Sequence, residues 1–193
     1  MTGARTAPGS FEERFAAAED PWGFASSPYE AAKYADTLEA LGDRSFADGL
    51  ELGCAIGVLT AQLARRCAHL DALDASPTAL AAAARRTAGL AVDLHELVLP
   101  ERLDALPGGP WDLVVASEVL YYLGPELLGD LLDRLEARTV PGGLLVAVHW
   151  TGEAASHPLS ADDVHAALAA RPAWRHRHGA RREGYRLDVH ERR

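Results

Sequence analysis

The sequence predicts an α/β fold, with a mostly parallel sheet and helices on both faces. Three observations predict it. Strand-like and helix-like segments alternate from about residue 43 onwards. The strand segments are near-continuously apolar, as in WDLVVAS (111–117) and GLLVAVHW (143–150), the pattern of strands buried on both sides. The chain has 193 residues, 48% of them hydrophobic and 24% charged. That is enough apolar surface for one core, too little room for a second domain, and not the composition of a disordered chain.

The elements follow in order. Residues 1–10 read as a flexible tail. Ser10-Phe-Glu-Glu13 reads as a capping box that opens a short helix, which Asp20-Pro21 ends. Trp22-Gly23-Phe24 is an aromatic loop. Ser27-Pro28-Tyr29-Glu30 combines an N-cap with a proline at the first helical position and opens a helix to about Leu41, closed by Gly42. Residues 11–42 thus form an N-terminal helical segment and 43–193 the sheet-bearing core. In that core 47–52 is a strand, Val58–Arg66 a helix and His69–Asp74 a strand. Ser76-Pro77 caps a helix ending near Gly89. Strands follow at 92–94, 111–117 and 143–150, with helices at Pro125–Arg138 and Ser160–Ala170. The last stretch, Trp174–Glu191, alternates like a two-stranded ribbon that adds an antiparallel strand at one edge.

Charge and composition exclude several functions. The net charge is −9, which disfavours nucleic acid and anionic membrane as partners. Residues 171–193 carry eight arginines against three acids; this is either the solvated face of terminal strands or a contact for an acidic partner. No apolar run approaches the ~20 residues of a membrane span, and MTGARTAPGS lacks a signal-peptide core. Cys54 and Cys67 form no CxxC pair, so a reduced, cytoplasmic protein is expected. His176 and His178 are expected to share a strand face, and with no third ligand in view no metal site is expected. No GxSxG or HExxH signature occurs.

The most informative stretch is Leu50-Glu51-Leu-Gly53-Cys-Ala55-Ile-Gly57, which joins the first strand of the sheet to its helix. Glycines let a backbone approach a ligand, and a helix N-terminus offers free N–H groups. A dinucleotide loop would carry a second glycine where Ala55 stands. Glu51 would also repel a pyrophosphate, but it suits a cationic ligand. Asp74, 17 residues after Gly57, ends the next strand and can accept both hydroxyls of a ribose.

Together these features resemble the S-adenosyl-L-methionine site of class I methyltransferases. DPWGF, SPYEAAKYADTL, LELGCAIGVLTAQLARRC, LDALDASPTALAAAARR, WDLVVASEVLYYL and VHW occur in order over residues 11–190. They are similar to the small nodulation-protein-S-like methyltransferases, whose namesake N-methylates the amino group of a chitooligosaccharide. The resemblance implies a single Rossmann-like methyltransferase domain over 1–193, with a seven-stranded sheet and residues 11–42 as a lid. It implies that S-adenosyl-L-methionine meets Trp22, Tyr29, Glu51, Gly53, Cys54, Ala55, Gly57, Asp74, Ala75, Ser76, Leu97, Val98 and Ser117. Glu51 would order its methionine end through the turn. Related enzymes often place an Asp on the adenine amino group where Val98 stands, so adenine would here depend on backbone groups and apolar packing.

Strand ends face the site in this architecture, so the acceptor side is expected at Glu118, Tyr122, His149 and Trp150, and the resemblance adds His165 on the helix that follows. Glu118, Tyr122 and His149 are the expected catalytic groups. The reaction implied is direct in-line methyl transfer to a small-molecule acceptor, first of all an amine nitrogen. An O-methyltransferase and a non-methylating cofactor-binding protein of the same fold are the alternatives. A monomer or a homodimer fits either.

Overall fold

The computed structural model describes residues 3–193. Two helices, α1 (Gly9–Ala17) and α2 (Pro28–Ala40), precede an alternating core of β1 (Phe46–Leu52), α3 (Thr60–Leu63), β2 (Cys67–Asp74), α4 (Pro77–Arg86), β3 (Val92–Glu96), β4 (Trp111–Ser117), α5 (Pro125–Arg138), β5 (Thr139–Trp150), α6 (Ala161–Ala169), β6 (Trp174–Arg181) and β7 (Tyr185–Arg192). They build one seven-stranded sheet in the order β3-β2-β1-β4-β5-β7-β6. β1 pairs in parallel with β2 and β4, and the parallel ladder continues to β3 and β5. β7 lies antiparallel between β5 and β6. The strand order reverses between β1 and β4. In open α/β sheets the ligand crevice lies at that point, beyond the carboxyl ends of the strands.

Alternation along the strands supplies two cores. Leu50, Leu52, Val114, Ala116, Leu145 and Ala147 face α5 and α6. Leu113, Val115, Leu144, Val146 and Val148 point the other way, against α2, α3 and β7. A third cluster of Phe15, Ile56, Ala79 and Ala82 docks α1 on α4. That docking has a polar clamp as well. Glu12 accepts hydrogen bonds from Ser76 Oγ and Thr78 Oγ1, each at 2.5 Å, and from the Thr78 amide at 3.2 Å. A carboxylate beside the first turn of α4 also complements that helix's dipole.

Several local readings are corrected. Ser10 makes no capping box; it lies inside α1, whose N-cap is Pro8, and its hydroxyl donates to the Ala7 carbonyl. The helix expected at 58–66 shortens to α3. Bonds of the i→i+3 type at Gln62, Arg65 and Arg66 tighten both its ends into 3₁₀ turns. The flexible-tail reading of residues 1–10 fails at Ala4–Thr6. The Ala4 carbonyl accepts from Gly124 N–H, Arg5 bridges to Leu123, and Thr6 N–H donates to Tyr122; residues 1–2 lie outside the described residues. A bulge between His176 and His178 shifts their partners from His190 to Val189, so the two histidines do not share a face. The basic ribbon neutralises itself within the chain: Arg171, Arg175, Arg181, Arg182 and Arg186 pair with Asp133 and Glu136, Glu191, Asp162, Asp36, and Asp162 and Asp188 respectively.

Candidate functional site

A cavity of about 640 Å³ opens at the carboxyl ends of β1, β2 and β4. On its β1–β2 side the wall is the turn after β1. Gly53 has φ of +72° and Ala55 φ of +48°, left-handed conformations that keep the turn tight. Asp74 holds this turn from the next strand. Its Oδ2 accepts the Ala55 N–H at 2.9 Å, and its Oδ1 accepts the Ser76 N–H at 2.9 Å. Each oxygen keeps a lone pair for a ligand hydroxyl. Burial pushes the Asp74 carboxyl up, against the opposing pull of those backbone hydrogen bonds. Glu51 ends β1 behind the turn, 3% exposed. Burial, with Asp74 nearby, raises its carboxyl to about 7. Among the described residues neither Glu51 Oε2 nor Thr60 Oγ1 has a hydrogen-bond partner.

The β4–β5 side is built around Glu118, whose φ is +58°. A non-glycine residue held there costs of order 1–3 kcal/mol and persists only where its surroundings over-determine it. They do so here. The Glu118 amide donates to Val148 O at 2.8 Å, Lys33 Nζ donates to its Oε1 at 2.7 Å, and the Trp150 amide donates to its Oε2 at 2.9 Å; Tyr121 OH also donates to Oε2. Lys33 is 1% exposed and also pairs with Glu30 at 2.9 Å. Tyr122 meets Phe11 and His157 edge-on, and His157 stacks on Tyr121 with ring centres 4.2 Å apart. Partial burial holds the His157 imidazole below its ordinary value, against Glu118.

The N-terminal segment lines the cavity as well. Trp22 packs on Phe15 and Phe24, with the Arg14 guanidinium 5.6 Å from its ring centre. The Tyr29 hydroxyl donates to Gly184 O in the β6–β7 turn, while its ring lines the cavity.

Of the residues expected from the sequence, the cavity brings together Trp22, Tyr29, Glu51, Gly53, Cys54, Ala55, Asp74, Ala75, Leu97, Val98, Ser117, Glu118, Tyr122 and Trp150. It does not bring in Gly57, Ser76, His149 or His165. Gly57 (φ +79°) is a packing glycine; a Cβ there would lie 2.9 Å from Ala83 Cα in α4. Ser76 is fully buried, with its hydroxyl capping α4 and donating to Glu12. His149 and His165 are both 0% exposed and hydrogen-bonded to each other at 3.2 Å; His149 turns toward α6, which carries His165, and neither lines the cavity. Strand alternation is the reason: His149 shares its face with Leu145 and Ala147, the face that α6 covers.

Sequence reading missed Lys33, Glu30, Tyr121, His157 and Arg14 as lining groups. One signal was available. Lys33 is the lone lysine beside eighteen arginines, and its compact ammonium meets the two carboxylates as a point charge. A grouping of His69, Asp71 and Asp93 with metal-like spacing lies on β2 and β3, outside the cavity.

Comparison with known proteins agrees with this fold. The family model described as nodulation protein S (NodS) matches residues 9–131. Nodulation protein S of Rhizobium tropici is 34% identical over 142 residues, covering 67% of this chain and 55% of that protein. That of Bradyrhizobium diazoefficiens is 34% identical over 118 residues, covering 58% and 53%. The chain therefore spans about half the length of these curated relatives. Among solved structures, the N-methyltransferase NodS of Bradyrhizobium japonicum in complex with S-adenosyl-L-homocysteine superposes with a TM-score of 0.83 at 26% identity, covering 97% of this chain and 98% of that one. A putative methyltransferase from Pseudomonas syringae gives 0.71 at 36% identity, covering 85% and 99%.

Proposed function

The chain belongs to the nodulation protein S (NodS) family, and on that premise we propose that it is an S-adenosyl-L-methionine-dependent methyltransferase acting on the amine nitrogen of a small molecule. The observation that carries this reading is the orphaned Glu51 Oε2, buried in the same cavity as the turn that Asp74 holds. A buried carboxylate oxygen without a partner is costly, and a cationic ligand would satisfy it. The residues present thus fit the group. Asp74 would hold the ribose, the 53–55 turn and Glu51 the methionine end, and Leu97 and Val98 the adenine. When bound, S-adenosyl-L-methionine supplies an electrophilic methyl carbon on a sulfonium.

The chain's own residues then have to position and to exclude water. Trp22, Phe24 and Tyr29, within the 11–42 lid, cover the opening. Holding two reactants in line can remove on the order of 7–11 kcal/mol from a barrier. Glu118 is a carboxylate with about four lone-pair sites, of which three are taken by Lys33, Tyr121 and the Trp150 amide. The site left over can accept one N–H of an amine and orient it. His157 lines the same rim, with its ring stacked on Tyr121. A neutral imidazole there can pass the proton of an ammonium to solvent. An amine with a pKa near ~10 is only about a thousandth neutral at pH 7, so turnover rises with pH.

We also assign the whole chain, 1–193, to a single domain. Its thiols are both free, which suits a reducing cytoplasm; no described helix is long and apolar enough to cross a membrane. Titration calorimetry with S-adenosylhomocysteine tests the reading. A dissociation constant of roughly 1 µM or tighter, about −8 kcal/mol, is expected. No heat and no thermal shift at millimolar ligand would overturn it.

A further inference from the structure

The segment 118–122, the acceptor rim in the reading above, is tied through the protein interior to β7, two strands away in the sheet. Leu120 donates its N–H to His149 Nε2 at 3.2 Å. His149 Nδ1 lies 3.2 Å from His165 Nε2, and His165 Nδ1 lies 2.7 Å from Asp188 Oδ2. One member comes from β5, one from α6 and one from β7. Both imidazoles are fully buried, so water cannot substitute for a missing partner.

The direction of this chain of bonds is determined at its two ends. A backbone N–H can only donate, so His149 Nε2 must hold a lone pair. A neutral imidazole then carries its proton on Nδ1 and donates it to His165 Nε2. His165 in turn carries its proton on Nδ1 and donates to Asp188. Reversing the order would set His149 Nε2–H against Leu120 N–H, two donors in a dry space. Asp188 is kept as an acceptor. The Arg186 guanidinium lies 2.8 Å from its Oδ2 and His176 Nε2 lies 3.1 Å from its Oδ1, and both contacts favour the ionised carboxylate.

We propose that Asp188, His165 and His149 form a positioning relay that fixes the Leu120 amide and so sets the Glu118–Tyr122 segment. No proton moves along it. It works by locking two tautomers, and a residue on β7 thereby controls the acceptor end of the cleft. Glu118 sits at a left-handed φ that its anchors have to enforce, and the Leu120 tether, two residues on, is one of them. That the segment is an acceptor rim rests on the function proposed above; the relay itself does not.

The test uses the full chain, labelled with ¹⁵N and saturated with S-adenosylhomocysteine. Long-range ¹H–¹⁵N correlation reports which ring nitrogen carries the proton, and amide exchange reports the Leu120 tether. In the wild type both His149 and His165 should be neutral and protonated on Nδ1. Asp188→Leu, which removes the acceptor at similar size, should speed Leu120 exchange by about tenfold or more, the scale of one lost hydrogen bond, without a matching change in β1 and β2. Asp188→Asn keeps an acceptor oxygen and should stay within about twofold of the wild type. If Asp188→Leu does not fold, His149→Phe keeps the ring and removes the acceptor, and should give the same acceleration. A wild-type His149 protonated on Nε2 overturns the proposal, as does Leu120 exchange that neither Asp188→Leu nor His149→Phe changes. Failure of the functional reading would show separately, as wild-type protein that does not bind S-adenosylhomocysteine; the tautomers are then read on the ligand-free chain.

Discussion

At the β1–β2 end of the cleft, Glu51, Gly53, Ala55 and Asp74 come from one short stretch of chain, and the Ala55 amide bonds to Asp74 across 19 residues. At the β4–β5 end, Glu118 is held by Lys33, 85 residues earlier, and by the Trp150 amide, 32 residues later. The first end is mostly backbone: a turn, a strand end and two amides. The second is mostly side chains, an ammonium between two carboxylates with aromatic rings around them. A backbone-built site needs only the right turn residues, so it tolerates change in the rest of the fold. A site built from distant charges depends on every packing surface between them.

Breaking the charged end should therefore cost the most. Lys33→Met leaves Glu30 and Glu118 facing each other without their shared cation. Stability should fall by ~3–5 kcal/mol, the usual result of removing one partner from a buried pair. Urea denaturation measures it, and adding Glu118→Gln should recover part of the loss. A loss under ~1 kcal/mol would mean that the pair is as wet as a surface salt bridge.

At the backbone-built end the expected effect is on affinity. Asp74→Ala should weaken S-adenosylhomocysteine binding by ~1–3 kcal/mol, read by calorimetry. Melting temperature is the control, since the turn also loses its two amide bonds.

Gly57 separates turn-building from ligand contact. Gly57→Ala puts a Cβ 2.9 Å from Ala83 Cα at a φ of +79°. It should destabilise the fold by ~1–2 kcal/mol. The folded fraction should bind S-adenosylhomocysteine within about twofold of the wild type, because Gly57 lies outside the cavity. An affinity loss at unchanged stability would return Gly57 to the cofactor site.

The smallest effect is a pH slope. The Glu51 carboxyl stands at about 7 in the folded chain, raised by burial from its ordinary value of 4.5. A raised acid pKa means that the unfolded chain releases this proton first. Glu51 therefore adds no penalty below about 4.5, and stability is lost as pH rises toward about 7, levelling off above. Between pH 6 and pH 8 the ligand-free protein should lose on the order of 1 kcal/mol from this group. Glu51→Gln should remove that slope in denaturation curves at the two pH values. A slope equal in wild type and variant would assign it to other groups.

The same contrast separates what could be read from the chain and what could not. The turn at 53–57, the strand-end acids Glu51 and Asp74 and the alternation of helices and strands are short-range patterns. Each is dictated by backbone geometry within a few residues: a left-handed φ, an apolar run, a serine before a proline. Ser27, Ser76 and Ser160 all cap the helices that their sequence marks. Ser10 carries the same signature and caps nothing, because α1 begins at Gly9 and the serine lies inside the helix.

The errors came where two patterns compete for one side chain. His149 ends a strand at the ligand-facing edge, which is a position in sequence. The side of the sheet that its ring takes is set by strand parity and by which helix covers that side, and α6 covers it. Gly57 belongs to a cofactor-type loop by spacing, yet its missing Cβ serves the approach of α4. Lys33 is on the page as a lone lysine, and nothing local says that Glu118 will meet it.

By itself, then, the sequence determined the α/β alternation, the glycine turn and the acids that flank it, because those depend on dihedral preferences and on apolar periodicity over a few residues. Only the tertiary structure decided that Lys33 is the buried cation of the β4–β5 end, that His149 and His165 face the interior, and that Asp188 meets His165. Those outcomes depend on which distant surfaces pack together, and a buried charge or tautomer is stable only once all of its partners are in place.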